Sequence, residues 1–169
     1  MTKSVSDVVK ERIFVDARLS QARLVKEQAT SVSGRFAQAP STIQVRIETA
    51  SGFSVALNNP TEPTELLIEL DYKVDAKIQD TEKPVVSYES KHHVQFLIAE
   101  WGGVKNWTEV PNDVFSPYFA MVQSIAITRA ENTLAAMGLR GVALPKQLKF
   151  DEHTVSQTEP QPAATPTVK

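Results

Sequence analysis

Apolar residues occupy every second position from Leu66 to Ile78, and this run constrains the fold more than any other part of the sequence. The intervening positions from Glu69 to Lys77 are all charged. Because successive side chains of a strand point to opposite faces, the run predicts a long strand with one apolar face and one charged face. A helix would scatter the same residues around its circumference. The apolar face then requires a second layer to cover it.

Two further runs alternate in the same way, from Ile43 to Leu57 and, more weakly, from Val85 to Ala99. Proline-containing turns over residues 58–65 and 79–84 separate them from the central run. Such short connections predict that successive strands are antiparallel neighbours. The sequence therefore predicts a sheet of long antiparallel strands.

A long helix is predicted between Val114 and Gly138. Ser116 is suited to an N-cap, Pro117 to the first helical position and Gly138 to the C-terminal stop. No charged residue occurs from Pro117 to Thr128, whereas an ordinary surface helix has a charged outer face. A long sheet followed by this helix predicts an α+β fold.

The apolar residues of this helix form two adjacent faces, which predicts burial on two sides. One face can cover the sheet, and we expect a second subunit to cover the other. The expected oligomer contacts are Tyr118, Met121, Val122 and Ile125. The alternative is a helix that is buried on all sides within a monomer.

The two ends of the chain have different patterns. Apolar residues at helical spacing from Ser4 to about Leu19 predict a helix, which the pattern alone would extend to Gln28. The segment from Asp151 to Lys169 is rich in Pro, Thr, Gln and Ala, as is typical of a disordered tail. We therefore expect an N-terminal helical extension over residues 1–20, one folded domain over residues 21–151 and a disordered tail over residues 152–169.

Composition and motifs argue against several classes of function. The net charge of −2 gives no overall electrostatic attraction to nucleic acid, and no segment is long and apolar enough to suggest a signal peptide or a membrane span. We expect a cytoplasmic protein. The chain contains no cysteine, and His92 and His93 are neighbours that would point to opposite faces of a strand. No catalytic constellation, metal site or cofactor motif is present, so we do not expect an enzyme.

Apolar surface is the remaining functional feature of the sequence. Phe36, Leu144 and Phe150 lie in segments predicted to be loops, beside the long apolar strands and the two-faced helix. Apolar surface in excess of what a core requires is characteristic of a binding site.

Three segments resemble the SecB family of export chaperones. IQVRIETAS, residues 43–51, resembles the second strand of that family. VFSPYFAMVQSIAITRA, residues 114–130, resembles its helix start, and VALPKQLKFD, residues 142–151, resembles its Leu-x-Pro segment. The resemblance covers residues 24–151 in the order that the family shows: four long antiparallel strands, a long helix, then a loop and a short helix.

This resemblance implies a homotetramer, built as a dimer of dimers, that binds unfolded polypeptides in apolar grooves. The implied client-binding residues are Phe36, Val45, Ile47 and Phe150, to which the loop residue Leu144 is added. The resemblance also implies a first strand from about Ala22 to Val32, preceded by a short helix. The predicted function is an ATP-independent holdase for export precursors or for a cognate antitoxin. The alternative is a non-catalytic structural or adaptor subunit.

Some positions depart from the family pattern. Glu89 matches an acidic position used to bind the secretion ATPase, but Ser87 replaces an expected leucine and Gln28 replaces an acidic residue. These departures argue against binding to that ATPase. The Met-Gly-Leu helix end and the predicted N-terminal helix are more similar to the SecB-like chaperones of toxin–antitoxin–chaperone systems.

Overall fold

The computed structural model describes residues 12–31, 45–78 and 82–146. These residues form four strands and a long helix. Strands β1 to β4 span Phe14–Ser31, Val45–Leu57, Glu65–Ile78 and Val86–Gly102. A single 3-10 turn, Trp107–Glu109, precedes helix α1, Asn112–Ala136.

The strands form one antiparallel sheet in the order β1-β4-β3-β2. The consecutive strands β2, β3 and β4 are neighbours, as the sequence predicts. Strand β1 pairs with β4 rather than with β2, so β1 and β2 are the two edges of the sheet. The prediction of an α+β fold, with a four-stranded antiparallel sheet packed against a long C-terminal helix, is confirmed.

Helix α1 covers the two central strands much better than the two edge strands. On β3 and β4 the side chains that face the helix are almost completely buried, among them Leu66, Ile68, Leu70, Val94 and Phe96 at 0% exposure. No residue of β1 is buried, and Val55 is the only buried residue of β2. A helix is about 10 Å wide and strands are about 4.8 Å apart, so one helix cannot cover four strands.

The opposite surface of the sheet, which we call the open face, carries most of the charged residues. Lys73 forms ion pairs with Asp75 (3.4 Å) and Glu89 (3.3 Å), and Glu69 lies 3.2 Å from the ammonium of Lys91. The pairs of Lys73 with Glu89 and of Glu69 with Lys91 connect β3 to β4, whereas Lys73 and Asp75 lie on the same strand. The alternation in the sequence therefore separates an apolar, helix-covered face from a charged face.

The predicted N-terminal helix is wrong from Phe14 onward, because residues 14–19 belong to β1. Residues 1–11 lie outside the described part of the chain. Strand β1 also begins well before Ala22, so the expected boundary between residues 20 and 21 falls inside a strand. The register of β1 against β4 shifts between Leu19 and Gln21 and again between Leu24 and Lys26. These irregularities interrupt the period-two pattern and make the segment appear helical in the sequence.

Helix α1 begins one turn earlier than predicted. Pro111 is the N-cap residue, Ser116 does not cap the helix, and Pro117 lies inside it. The additional turn places Phe115, which is 3% exposed, against the sheet. The burial of this ring offsets the backbone hydrogen bond that Pro117 cannot donate.

The C-terminal end of α1 is where the sequence predicts it. Gly138 has a φ of 96°, and its N–H donates to the carbonyl of Ala135 at 3.1 Å. The N–H of Leu139 donates to the carbonyl of Leu134 at 2.9 Å, which completes a Schellman motif. The left-handed conformation explains the glycine at this position.

The phenol of Tyr118 fixes the first half of α1 to the edge strand. Its hydroxyl donates to the carbonyl of Val15 (2.8 Å) and accepts from the N–H of Ala17 (2.9 Å). Both backbone groups lie in a partly buried region, so they depend on the phenol for their hydrogen bonds.

We predict that Tyr118→Phe lowers the free energy of unfolding by about 2 kcal/mol, because it leaves two backbone groups without partners. Tyr72→Phe is the matched control, since the hydroxyl of Tyr72 is buried without a hydrogen-bond partner among the described residues. The control should leave stability unchanged or raise it. Urea unfolding followed by circular dichroism measures both changes, and an equal loss in the two variants would contradict the assigned role of Tyr118.

Candidate functional site

The incomplete cover over the sheet leaves an apolar surface between α1 and β1, which we call the β1 strip. Leu19 and Leu24 are 47% and 41% exposed, and Met121 of the helix is 44% exposed. Leu19 and Leu24 lie opposite the buried residues Phe96 and His92, which places them on the helix side of the sheet. Ile125, one turn after Met121, is half-buried. Leu19, Leu24, Met121 and Ile125 together form the β1 strip.

Polar contacts hold α1 to β1 beyond the C-terminal end of this strip. The Arg129 guanidinium donates to both carboxylate oxygens of Glu27, at 3.0 and 2.8 Å, and the Thr133 hydroxyl donates to Glu27 at 3.0 Å. The hydrogen bond from Arg129 is the main cause of the lowered pKa of Glu27. The Tyr118 contacts hold the same part of the helix at its other end. Together these bonds hold the helical segment that contains Met121 and Ile125 alongside β1.

A second partly covered surface lies on the other edge of the sheet, and we call it the β2 strip. Its members pair with Ile78, Ala76, Leu70 and Leu66 of β3 and therefore lie on the helix side. All four are half-buried and pack against the core on one side only. The β2 strip consists of Val45, Ile47, Phe53 and Leu57.

The β2 strip is continuous with the helix and ends at a free sheet edge. The ring of Phe53 packs at 5.0 Å from that of Phe119, between centroids. Within the described sheet, β2 pairs only with β3, so its outer edge has backbone groups that face no strand. An extended peptide that aligned with β2 would meet backbone hydrogen-bonding groups together with an apolar row.

The structure brings together only some of the predicted client-binding residues. Val45 and Ile47 lie near each other on the β2 strip. Leu144 is 3% exposed and belongs to the core, and its N–H donates to the Glu131 carboxylate at 3.2 Å. Phe36 and Phe150 lie outside the described residues. In the single chain, Leu144 is therefore a core residue that lies beside the predicted client-binding surface.

The predicted oligomer contacts divide in a similar way. Met121 and Ile125 lie on the β1 strip, whereas Tyr118 and Val122 face the sheet at 9% and 0% exposure. Sequence reasoning missed Leu19 and Leu24, because the register shifts of β1 conceal which of its residues face the helix. The exposed outer surface of α1 also includes Ala120, Ser124 and Thr128, and it carries no charged residue from Pro117 to Thr128.

A buried histidine lies beneath the second half of the helix. His92 is 3% exposed, and its Nε2 lies 3.0 Å from the hydroxyl of Ser90, which is also buried. Burial lowers the pKa of His92, and Arg129 lowers it further, whereas Glu27 opposes this shift. His93 points to the open face, where its Nε2 lies 2.9 Å from Glu69. The prediction that the two rings occupy opposite faces is confirmed.

An open depression of about 420 Å³ lies on the open face and extends across all four strands. Small residues of β2, including Ala50 and Gly52, line one side of it. Lys26, Lys73 and Lys91 also line it, together with Asp71 of β3 and Glu89 of β4. Charged residues therefore lie around this depression, in contrast to the two strips.

Two other kinds of feature are absent from residues 12–31, 45–78 and 82–146. No group of three or more His, Asp and Glu side chains there has an arrangement that could hold a metal ion. No helix there combines the length and apolar character needed to cross a bilayer.

Comparison with known proteins identifies the fold. The sequence matches no protein-family model and no curated protein sequence. Among solved structures, the chain is similar to the Mycobacterium tuberculosis SecB-like chaperone Rv1957, in complex with a ChAD peptide from the Rv1956 HigA1 antitoxin. The TM-score is 0.55 with 13% sequence identity, and the match covers 76% of this chain and 89% of that chain.

This chain has the SecB-like fold. Its sheet and its C-terminal helix therefore have the arrangement that the sequence resemblance implies. The open face of this SecB-like sheet contains Ser87 and Glu89, and Glu89 is paired there with Lys73 at 3.3 Å. The carboxylate of Glu89 is therefore engaged in an ion pair on this face.

We predict that acid destabilises this SecB-like chain through His92. The folded state lowers the pKa of His92, so the unfolded state binds more protons, and stability falls as the pH drops below the ordinary histidine value of about 6.5. The loss amounts to about 1.4 kcal/mol for each unit that separates the two pKa values. His92→Leu should have a smaller loss between neutral and mildly acidic pH in urea unfolding. A pH profile of His92→Leu identical to that of the wild type would contradict the prediction.

Proposed function

We propose that this protein is an ATP-independent holdase that binds unfolded, apolar segments of other polypeptides. The observation that carries the proposal is the β2 strip, a half-covered apolar row beside a free strand edge on a SecB-like fold. The core buries only part of the apolar surface of this strip. The remaining part is accessible to a ligand that supplies apolar side chains.

The physical basis of binding suits clients of many sequences. Burial of apolar surface contributes roughly 25 cal/mol per Å² and imposes no directional requirement on the client. An extended client beside β2 can also form main-chain hydrogen bonds, and its alternate side chains then face Val45 and Ile47. The sequence contains no nucleotide-binding motif, so the proposed release step is mass action or transfer to another protein.

The client that we propose is a cognate antitoxin. The support for this choice is that the SecB-like chaperone of similar structure was solved with a peptide from an antitoxin. The absence of the expected leucine and acidic positions at Ser87 and Gln28 argues against a main role in export. Binding to an antitoxin places the action of the protein in the cytoplasm.

We also propose that the protein is a homo-oligomer, assembled as a dimer of dimers. The β1 strip and the uncharged part of the outer surface of α1, from Pro117 to Thr128, are the surfaces best suited to contact other copies. Small and apolar side chains such as Ala120, Met121 and Ile125 allow close approach of a second helix or sheet. The β2 strip would then remain available for the client.

We predict that the protein suppresses aggregation of a denatured protein diluted into buffer without ATP, as measured by light scattering. Val45→Thr combined with Ile47→Thr should reduce this suppression severalfold, because a hydroxyl replaces apolar contact area on the β2 strip. Threonine retains β-branching, so the strand itself should persist. Phe36→Ala with Phe150→Ala tests the remaining predicted groove residues in the same assay.

The matched control is Val25→Thr combined with Leu97→Thr, since these residues are 51% and 45% exposed and lie away from the β2 strip. The control should suppress aggregation as well as the wild type. Full activity of the β2-strip variant would overturn the assignment of this groove. No suppression by the wild type, together with failure to bind an antitoxin encoded beside it, would favour the adaptor alternative.

We predict that Ile125→Asp dissociates the oligomer, because the new carboxylate would be buried without a partner at the subunit contact, at a cost of several kcal/mol. Size-exclusion chromatography with light scattering measures the mass. Asn132→Asp adds the same charge at an exposed helix position and should leave the mass unchanged. A variant of wild-type mass would show that Ile125 lies outside the interface.

A further inference from the structure

The open face carries a line of basic side chains along β1, which we call the basic stripe: Arg18, Arg23 and Lys26. Their partners on β4 are all open-face residues, and directly opposite residues of an antiparallel pair lie on the same face. All three members are exposed. The partners are Leu97 for Arg18, His93 for Arg23 and Lys91 for Lys26.

The spacing of the stripe conceals it in the sequence. Arg18 and Arg23 are separated by an odd number of positions, as are Arg23 and Lys26, so a regular strand would place neighbours on opposite faces. The register shifts between Leu19 and Gln21 and between Leu24 and Lys26 each add one residue to β1, and together they restore the three side chains to one face. The register of the folded strand thus gathers these charges into one line.

The members of the stripe differ from the other basic residues of the open face in having no ion pair with a described residue. Arg46 and Lys77 both pair with Glu48. Lys73 pairs with Asp75 and Glu89, and Lys91 pairs with Glu69. The charges of the stripe are therefore available to an external anion.

One position of the stripe also has an unfavourable contact. Lys26 lies directly opposite Lys91, and like charges in this arrangement destabilise a sheet. Both residues line the open depression on this face. A carboxylate placed in the depression would relieve the repulsion.

Acidic residues limit the stripe at both ends. Asp16 and Glu100 lie opposite each other before Arg18, and Gln28 lies opposite Glu89 after Lys26. The interval from Arg18 to Lys26 matches the six residue steps from Leu97 to Lys91 on β4, which is roughly 20 Å at about 3.3 Å per residue. A long polyanion such as duplex nucleic acid would extend beyond this interval and lie against the terminal carboxylates. A short acidic segment would not.

We propose that the basic stripe docks a short acidic segment of a partner protein, in extended conformation, on the face of the sheet opposite the apolar strips. In an extended segment every second side chain faces the sheet, so alternating carboxylates would meet Arg18, Arg23 and Lys26. The docking surface is separate from the β2 strip and does not depend on the holdase function proposed above.

The test uses a fluorescently labelled peptide of about eight residues with alternating Glu and Ser, a length that matches the stripe. Fluorescence anisotropy at low ionic strength measures its binding to the full-length protein. We expect the dissociation constant to rise steeply with salt, because exposed charges are screened. A peptide with Gln in place of Glu should not bind.

The stripe variant combines Arg18→Gln, Arg23→Gln and Lys26→Gln, and its matched control combines Arg46→Gln, Lys73→Gln and Lys77→Gln. Both remove three positive charges from the open face. Loss of three exposed ion pairs should weaken binding by about tenfold or more in the stripe variant, whereas the control should be less affected. Thermal unfolding verifies that both variants fold, and the stripe variant should still suppress aggregation.

Three results would overturn the proposal. The first is no binding of the acidic peptide by the folded wild type at low ionic strength. The second is an equal loss of affinity in the two variants, which would indicate a general effect of net charge. The third is tighter binding of a short duplex DNA than of the peptide with the same dependence on the stripe, which would identify a nucleic-acid surface instead.

Discussion

The number of strands that one helix can cover governs the rest of this structure. Helix α1 buries the apolar residues of β3 and β4 almost completely, as the 0% exposure of Ile68 and of Val94 shows. The edge strands receive only the margins of the helix, and this leaves the β1 strip and the β2 strip. Because the free energy of apolar burial is proportional to the area removed from water, each strip can stabilise a further association. The proposed assembly buries the β1 strip, and the proposed client binding buries the β2 strip.

Polar anchors decide where the uncovered surface lies. The Tyr118 hydroxyl holds one part of the helix to β1 through backbone bonds, and Arg129 and Thr133 hold another part through Glu27. These contacts are directional, unlike the apolar contacts over β3 and β4. They fix the position of the helix across the sheet and thereby determine how much of each edge strand is left open.

The sheet separates two kinds of interaction on its two faces. The helix side offers apolar rows and a free edge, which suit unfolded segments of varied sequence. The open face is a charged surface on which most charged side chains form ion pairs across strands. The residues of the basic stripe form no ion pair with a described residue. Because the strands themselves lie between the two surfaces, a client on one face and an acidic partner on the other would not compete for the same side chains.

The sequence by itself determined the strands β2 to β4, the helix with its stop at Gly138 and the α+β class, because local periodicity and end signals report directly on these features. It also identified Val45, Ile47, Met121 and Ile125 as apolar residues of functional interest. Only the tertiary structure decided that β1 begins at Phe14 and pairs with β4, that Tyr118, Val122 and Leu144 are buried, and that the basic stripe exists. Long-range strand pairing and its register shifts set these outcomes, and neither leaves a regular period in the sequence.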